Sequence, residues 1–395
     1  MLSERAKAIK PSATLAIDTK AKELKSQGID VVGFGAGEPD FDTPENIKEA
    51  AIDAIKKGFT KYMPVDGIPE LKDAVIEKFK RDNGLEYTRD EIIVSVGAKH
   101  ALFNIALAMI NTGDEVIIPT PYWVSYPEMF GVAGGIPVFV KTKEEENFAL
   151  KPEAVEKAIT KKTKILLINS PGNPSGAVYP KKDLEAIAEV VKKHNIFVVT
   201  DDIYEKLIYD GEKFSTIAQA KDMKSRTLLV HGVSKTYAMT GWRIGFTAGP
   251  KEIIKAMKNI QSQSTSNPTS IAMKASAEAL RGPQDSVGKM VNEFDKRRKY
   301  LVDGLNKIKG IKCITPKGAF YAFPNISALY GKKFKGTIIK DSFDFADFLL
   351  NQVKVAVVPG APFGAEENIR LSYATSLDTI KKGLERIEQA VSMLE

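Results

Sequence analysis

Seven short runs of consecutive apolar residues, alternating with helical stretches, restrict this chain more than any other feature. They are Ile92–Val96, Glu115–Pro119, Pro137–Val140, Lys164–Ile168, Ile196–Thr200, Thr227–His231 and Ile244–Ala248. Most are apolar at successive rather than alternate positions, so a strand made from them must be covered on both faces. Helical stretches such as Lys99–Ile110 and Lys181–His194 lie between them. Strand and helix repeated in this way predict an α/β fold, a mostly parallel seven-stranded sheet flanked by helices. After about residue 290 the pattern changes to a long charged helix (Val291–Lys309), short strands (Gly318–Phe323, Val355–Val358, Ile369–Tyr373) and a final helix from Leu377. That reads as a smaller α+β domain. The first 45 residues hold a helix (Ala13–Gln27) and a Gly/Pro-rich loop (Gly33–Pro44). The expected division is 1–45 as an arm and part of the small domain, 46–290 as the large domain, and 291–395 as the small C-terminal domain.

Several function classes are disfavoured by composition. One cysteine, Cys313, excludes an internal disulfide and fits a reducing compartment. The N-terminus has no signal-peptide core, and no run reaches the ~18 apolar residues of a membrane span. The expected compartment is the cytoplasm, with no membrane partner. A net charge of +7 is spread over lysines mixed with acids, not gathered into a nucleic-acid patch. His100, His194, His231 and Cys313 lack metal-ligand spacing, so no metal is expected.

In open α/β sheets ligands bind beyond the carboxyl ends of the strands, so the residues that follow each run matter most. Gly97-Ala98-Lys99 opens a helix. Such a turn either simply reverses the chain or offers backbone N–H groups to a phosphate. The dense turn Asn169-Ser170-Pro171-Gly172-Asn173-Pro174 is either a plain loop or a rigid mount for Asn173 as a donor. Asp201 follows the fifth run with Tyr204 close by, as a helix cap or as an acid at a cleft mouth. Lys235 follows the sixth run among small residues, where a lysine can lose its proton and become a nucleophile. Arg243 stands eight residues further on and can fork onto a phosphate. Together these describe one cofactor. Pyridoxal 5'-phosphate needs an amine for a Schiff base, a carboxylate for its pyridine nitrogen, donors at its phenolate oxygen and a phosphate cradle.

Ordered motifs run nearly the whole length: PSAT at 11–14, AGEPDFDTP at 36–44, KYMPVDGIPEL at 61–71 and PYWVSYPEM at 121–129. NSPGNPSGAVYP at 169–180, DDIYEKLIYDG at 201–211, SKTYAMTGWRIG at 234–245, GAFYAFP at 318–324 and NIRLSYA at 368–374 continue the series. In these the chain resembles the class I (fold-type I) aminotransferases, closely their bacterial aspartate-specific branch. The resemblance implies that Lys235 carries the cofactor and later moves a proton between substrate Cα and cofactor C4'. It pairs Asp201 with the pyridinium nitrogen and makes Tyr204 and Asn173 donors to the phenolate oxygen. It sets Gly97, Ala98, Lys99, Ser234 and Arg243 around the phosphate, joined by Tyr62 from a neighbouring subunit, which implies a homodimer with shared sites. Trp123 would stack on the ring, Arg370 would grip the substrate α-carboxylate, and Gly37 would give a backbone contact. Lys99, with Thr14 from the partner's arm, would read a side-chain carboxylate.

The implied reaction is ping-pong transamination through the pyridoxamine form, L-aspartate and 2-oxoglutarate giving oxaloacetate and L-glutamate. Alternatives within the same chemistry are an aromatic, branched-chain or prephenate aminotransferase and a C–S lyase. A cofactor-binding transcriptional regulator would need an added DNA-binding domain. The family's motifs already begin at about residue 11. Two positions depart from the commoner pattern, Asp202 in place of Glu and His100 in place of Gln, and neither is assigned chemistry.

Overall fold

The computed structural model describes residues 1–9 and 13–395, with the side chains of 13–16 and 18 outside that description. The runs form one seven-stranded sheet: β1 (Ile92–Ser95), β2 (Glu115–Thr120), β3 (Ile136–Lys141), β4 (Thr163–Asn169), β5 (Phe197–Asp201), β6 (Thr227–Gly232) and β7 (Gly245–Ala248). Their spatial order is β1-β7-β6-β5-β4-β2-β3. β7 runs antiparallel to both neighbours, and every other pairing is parallel. β1, β6 and β7 are buried at every position, as consecutive apolar residues require.

Helix boundaries follow local chemistry. Pro69 opens the helix Pro69–Asn83 at the position where a missing N–H costs nothing, and Gly84 closes it in the left-handed region. Lys181–His194 is observed as expected and ends at Asn195, again left-handed. The long charged helix spans Asp285–Lys307, starting earlier than expected because Gly288, which meets open space, does not stop it.

The expected strand Gly318–Phe323 shrinks to Tyr321–Ala322. Gly318 N–H bonds to the Gly176 carbonyl and Ala319 N–H to that of Leu207, and Ala319 has a φ of 58°, so this stretch cannot lie flat in a sheet. Tyr321–Ala322 pairs with Ile369–Ser372, which pairs in turn with Val358–Pro359, all antiparallel. Val32–Gly33 pairs in parallel with Val355–Ala356, and Ser372 N–H bonds the Phe34 carbonyl, so the start of the chain is sewn onto its end. One core cluster joins Val32 and Phe34 to Phe294, Phe320, Leu371 and Ile387.

Candidate active site

The register of the large sheet brings the chemistry to one edge. Asn169 at the end of β4 pairs with Asp201 at the end of β5. Gly245 at the start of antiparallel β7 pairs with both Ser95 and Gly232, the ends of β1 and β6. Segments 96–99, 169–174, 201–204, 233–235 and 243 therefore meet above the same end of the sheet. A cleft of about 500 Å³ opens there, completed by segment 35–38 and by Tyr321 and Arg370.

One wall is an anion cradle. Gly97, with φ of 85°, starts the helix Ala98–Met109, whose first N–H groups have no partner inside the helix. A Cβ at Gly97 would stand 2.3 Å from Arg243 Nη2, so glycine alone lets the guanidinium lie against the helix start. Arg243 is itself left-handed at φ 56° and donates from Nη1 to the Thr240 carbonyl at 2.7 Å. Ala98, Lys99 and Ser234 line the same wall. Lys99 Nζ lies 4.8 Å from the centre of the Trp123 ring, and burial, with Arg243 as the second cause, lowers its pKa.

The floor holds an amine and a carboxylate. Lys235 follows β6 and donates from Nζ to the Gly37 carbonyl. Burial, ahead of the charges around it, lowers its pKa to about 8. Asp201 is buried, and burial raises its pKa to about 6. The Tyr126 hydroxyl, donating to Oδ2 at 2.8 Å, and the Ile203 N–H at Oδ1 oppose that rise.

The far wall is built on Arg370. It is buried, donates to Asn173 Oδ1 at 2.9 Å and to the Gly35 carbonyl at 2.8 Å, and keeps a buried Nε with no partner. Burial lowers its pKa. Because Asn173 Oδ1 is taken by Arg370, its Nδ2 remains as a donor. Tyr204 and Tyr321 share a hydroxyl hydrogen bond of 2.8 Å. Among the described residues, Lys99, Lys235, Arg243 and Arg370 form no ion pair with a carboxylate, and all four face one cavity. Such a cavity favours ligands with more than one negative charge.

Of the residues picked from sequence, Gly37, Ala98, Lys99, Trp123, Asn173, Asp201, Tyr204, Ser234, Lys235, Arg243 and Arg370 line this cleft. Gly97 stands directly behind Arg243. Tyr62 does not enter the cleft of its own chain and is 90% exposed. The Thr14 side chain lies outside the described residues. Sequence reasoning missed Tyr126 and Tyr321, and also Glu38, which accepts from Thr240 Oγ1 at 2.7 Å. All three lie inside the quoted motifs, but nothing in their spacing says which hydroxyl faces which carboxylate. His100 Nδ1 accepts from the Val96 N–H, a local turn contact. Among the described residues no group of acids, histidines or cysteines could hold a metal ion, and no helix is long and apolar enough to cross a membrane.

The family model for aminotransferase class I and II matches residues 29–387. The aspartate aminotransferase of Bacillus sp. (strain YM-2) is 51% identical over 392 residues, 99% of each chain. A probable aspartate/prephenate aminotransferase of Rickettsia conorii is 52% identical, over 100% of this chain and 99% of its own length. The crystal structure of the aspartate aminotransferase from Rhizobium meliloti superimposes with a TM-score of 0.97 at 48% identity, covering 100% of both chains.

Proposed function

The chain belongs to the class I and II aminotransferases, and on that premise we propose that it binds pyridoxal 5'-phosphate and moves amino groups between L-aspartate and 2-oxoglutarate. The observation that carries this reading is the cavity with four basic side chains unpaired to any described carboxylate and one buried acid on its floor. The residues fit the cofactor. Gly97 leaves room for Arg243 at a helix start, a place for the phosphate. Asp201, buried at the end of β5, would hold the proton of the pyridine nitrogen. Tyr204 and Asn173 Nδ2 would donate to the phenolate oxygen, and Trp123 would cover the ring. When bound, the group supplies an electron sink for the carbanion formed at the substrate Cα.

The chain's own residues do the rest. Lys235 offers a neutral amine and carries the proton to and from Cα. Arg370 presents its free Nε and remaining N–H groups to the α-carboxylate, and Gly37 gives a backbone contact beside it. Lys99, at the cavity wall over Trp123, meets the side-chain carboxylate, with Thr14 of a partner's arm. In this reading the enzyme works in the cytoplasm as a homodimer, with 46–290 as the cofactor domain, 291–395 as the small domain and 1–45 as the arm.

The aspartate assignment rests on Lys99 and on the names of the relatives, some of which are named for prephenate as well. It is tested by adding single amino acids to the holoprotein and following cofactor absorbance. Aspartate and glutamate should convert it rapidly, and phenylalanine, leucine and alanine slowly. Lys99→Ala should narrow that gap by about tenfold, the worth of one charged contact. Conversion led by aromatic or apolar amino acids would remove the aspartate assignment, and no conversion at all would remove the transaminase.

A further inference from the structure

Tyr321 stands at the junction of the two halves of the site. It is fully buried, on the two-residue strand that pairs with the strand carrying Arg370. Its hydroxyl lies 2.8 Å from that of Tyr204, and its ring centre lies 4.5 Å from the Arg370 guanidinium carbon. A Cβ at Gly37 would come within 3.4 Å of the same hydroxyl. One side chain thus touches the donor to the cofactor, the arginine for the substrate and the loop beneath both.

We propose that Tyr321 is a positioning residue of this site, which donates to the Tyr204 hydroxyl and so fixes Tyr204 as a donor towards the cofactor's phenolate oxygen. This rests on the cofactor reading given above. The reason is an inventory of protons. Each phenol has one proton and two lone pairs. Across one hydrogen bond only one of the two hydroxyls donates. If Tyr204 uses its proton on the ligand, the bond between the tyrosines must use the proton of Tyr321. The order is then Tyr321 to Tyr204 to ligand. In a site shielded from water such a chain polarises along its length, so each donor is stronger than it would be alone. The Tyr321 ring also seats Arg370, and Phe363 flanks the same guanidinium at 5.2 Å. Strength at the phenolate and aim at the carboxylate are set by one residue.

Tyr321→Phe separates the hydroxyl from the ring, because phenylalanine keeps the packing and the face under Arg370. The experiment uses holoprotein in four forms: parent, Tyr321→Phe, Tyr204→Phe and the double variant. It reads the midpoint of the pH-dependent absorbance of bound cofactor, with a thermal melt of each form. A donor to the phenolate stabilises the deprotonated chromophore, so a weaker donor raises the midpoint. Tyr321→Phe should raise it by about half a unit, a threefold change in the protonation constant, at nearly unchanged melting temperature. In the Tyr204→Phe background the same substitution should add nothing, because the hydroxyl it serves is gone. An unmoved midpoint in Tyr321→Phe, or an equal shift with and without Tyr204, overturns the proposal and leaves Tyr321 as packing. A parent that takes up no pyridoxal 5'-phosphate fails at an earlier step, overturning the cofactor reading and this proposal with it.

Discussion

Lys235 differs from the other lysines of this basic chain through its surroundings. Its Nζ lies 5.9 Å from the Tyr204 ring centre and 5.8 Å from that of Phe320. Burial lowers its pKa to about 8; Glu38 opposes this, while Arg243 and Arg370 add to it. The neutral amine is the nucleophile, so a usable fraction exists near neutral pH. Uptake of pyridoxal 5'-phosphate by the cofactor-free protein should therefore accelerate with pH about a midpoint near 8. Stopped-flow absorbance measures this, and a midpoint near the ordinary lysine value of ~10.4 would contradict it. Lys235→Ala should abolish turnover and still hold the ligand through the cradle at Gly97 and Arg243. Asp201 moves the opposite way to about 6, yet its bonds from Tyr126 and Ile203 favour the anion. It is the lowered lysine pKa that brings a neutral Lys235 and a charged Asp201 together, above about pH 8 rather than only above the ordinary lysine value.

At the scale of elements, a buried ion cluster joins the segments that deliver these groups. Glu205 follows Tyr204, lies 3.0 Å from His231 Nε2 on β6 and pairs with Lys78 on the helix Pro69–Asn83. Lys78 also donates to Asn83 Oδ1 at 2.8 Å. His231 Nδ1 lies against both the N–H and the carbonyl of Gly232, and its Nε2 faces the Glu205 carboxylate. Lys78 and the Glu205 that opposes it are each almost fully buried, so neither charge can be left alone cheaply. Glu205→Leu should therefore cost about 3 kcal/mol in urea unfolding, the low end for removing one partner of a buried ion pair, because Asp82 Oδ2 at 3.9 Å stays beside Lys78. A loss below about 1 kcal/mol would mean that water reaches the cluster. None of this was legible in the sequence, because Lys78, Glu205 and His231 stand in three elements and carry no common spacing. The sheet was legible, because strands covered on both faces must be apolar throughout, and the loop residues were legible as a group lining one cleft because polar residues that follow buried strands stand at the carboxyl edge of the sheet. Gly318–Phe323 was misread because apolar composition does not reveal that Gly318 and Ala319 bond elsewhere.

Over the whole molecule, the remaining question is what Tyr62 is for. It is 90% exposed, yet its loop is held firmly. Gln261, fully buried, donates from Nε2 to the carbonyls of Val65 at 2.7 Å and Val94 at 2.8 Å. Its Oε1 accepts from Ser95 and Asn104, so all four of its hydrogen-bonding positions are used. Val94 N–H bonds the Asp66 carbonyl, and Asp66 pairs with Lys72 and Lys258. A tyrosine displayed on so fixed a loop, yet outside its own cleft, suits contact with a second copy, since a phenol offers apolar area and one polar tip. Sedimentation should therefore give a mass of two chains. Tyr62→Ala should leave that mass and the unliganded fold intact while weakening cofactor binding by about tenfold or more, the worth of one hydrogen bond to a phosphate. If a single chain binds cofactor as tightly as the parent assembly, or if Tyr62→Ala binds undiminished, each cleft is complete within one chain and the shared site is wrong.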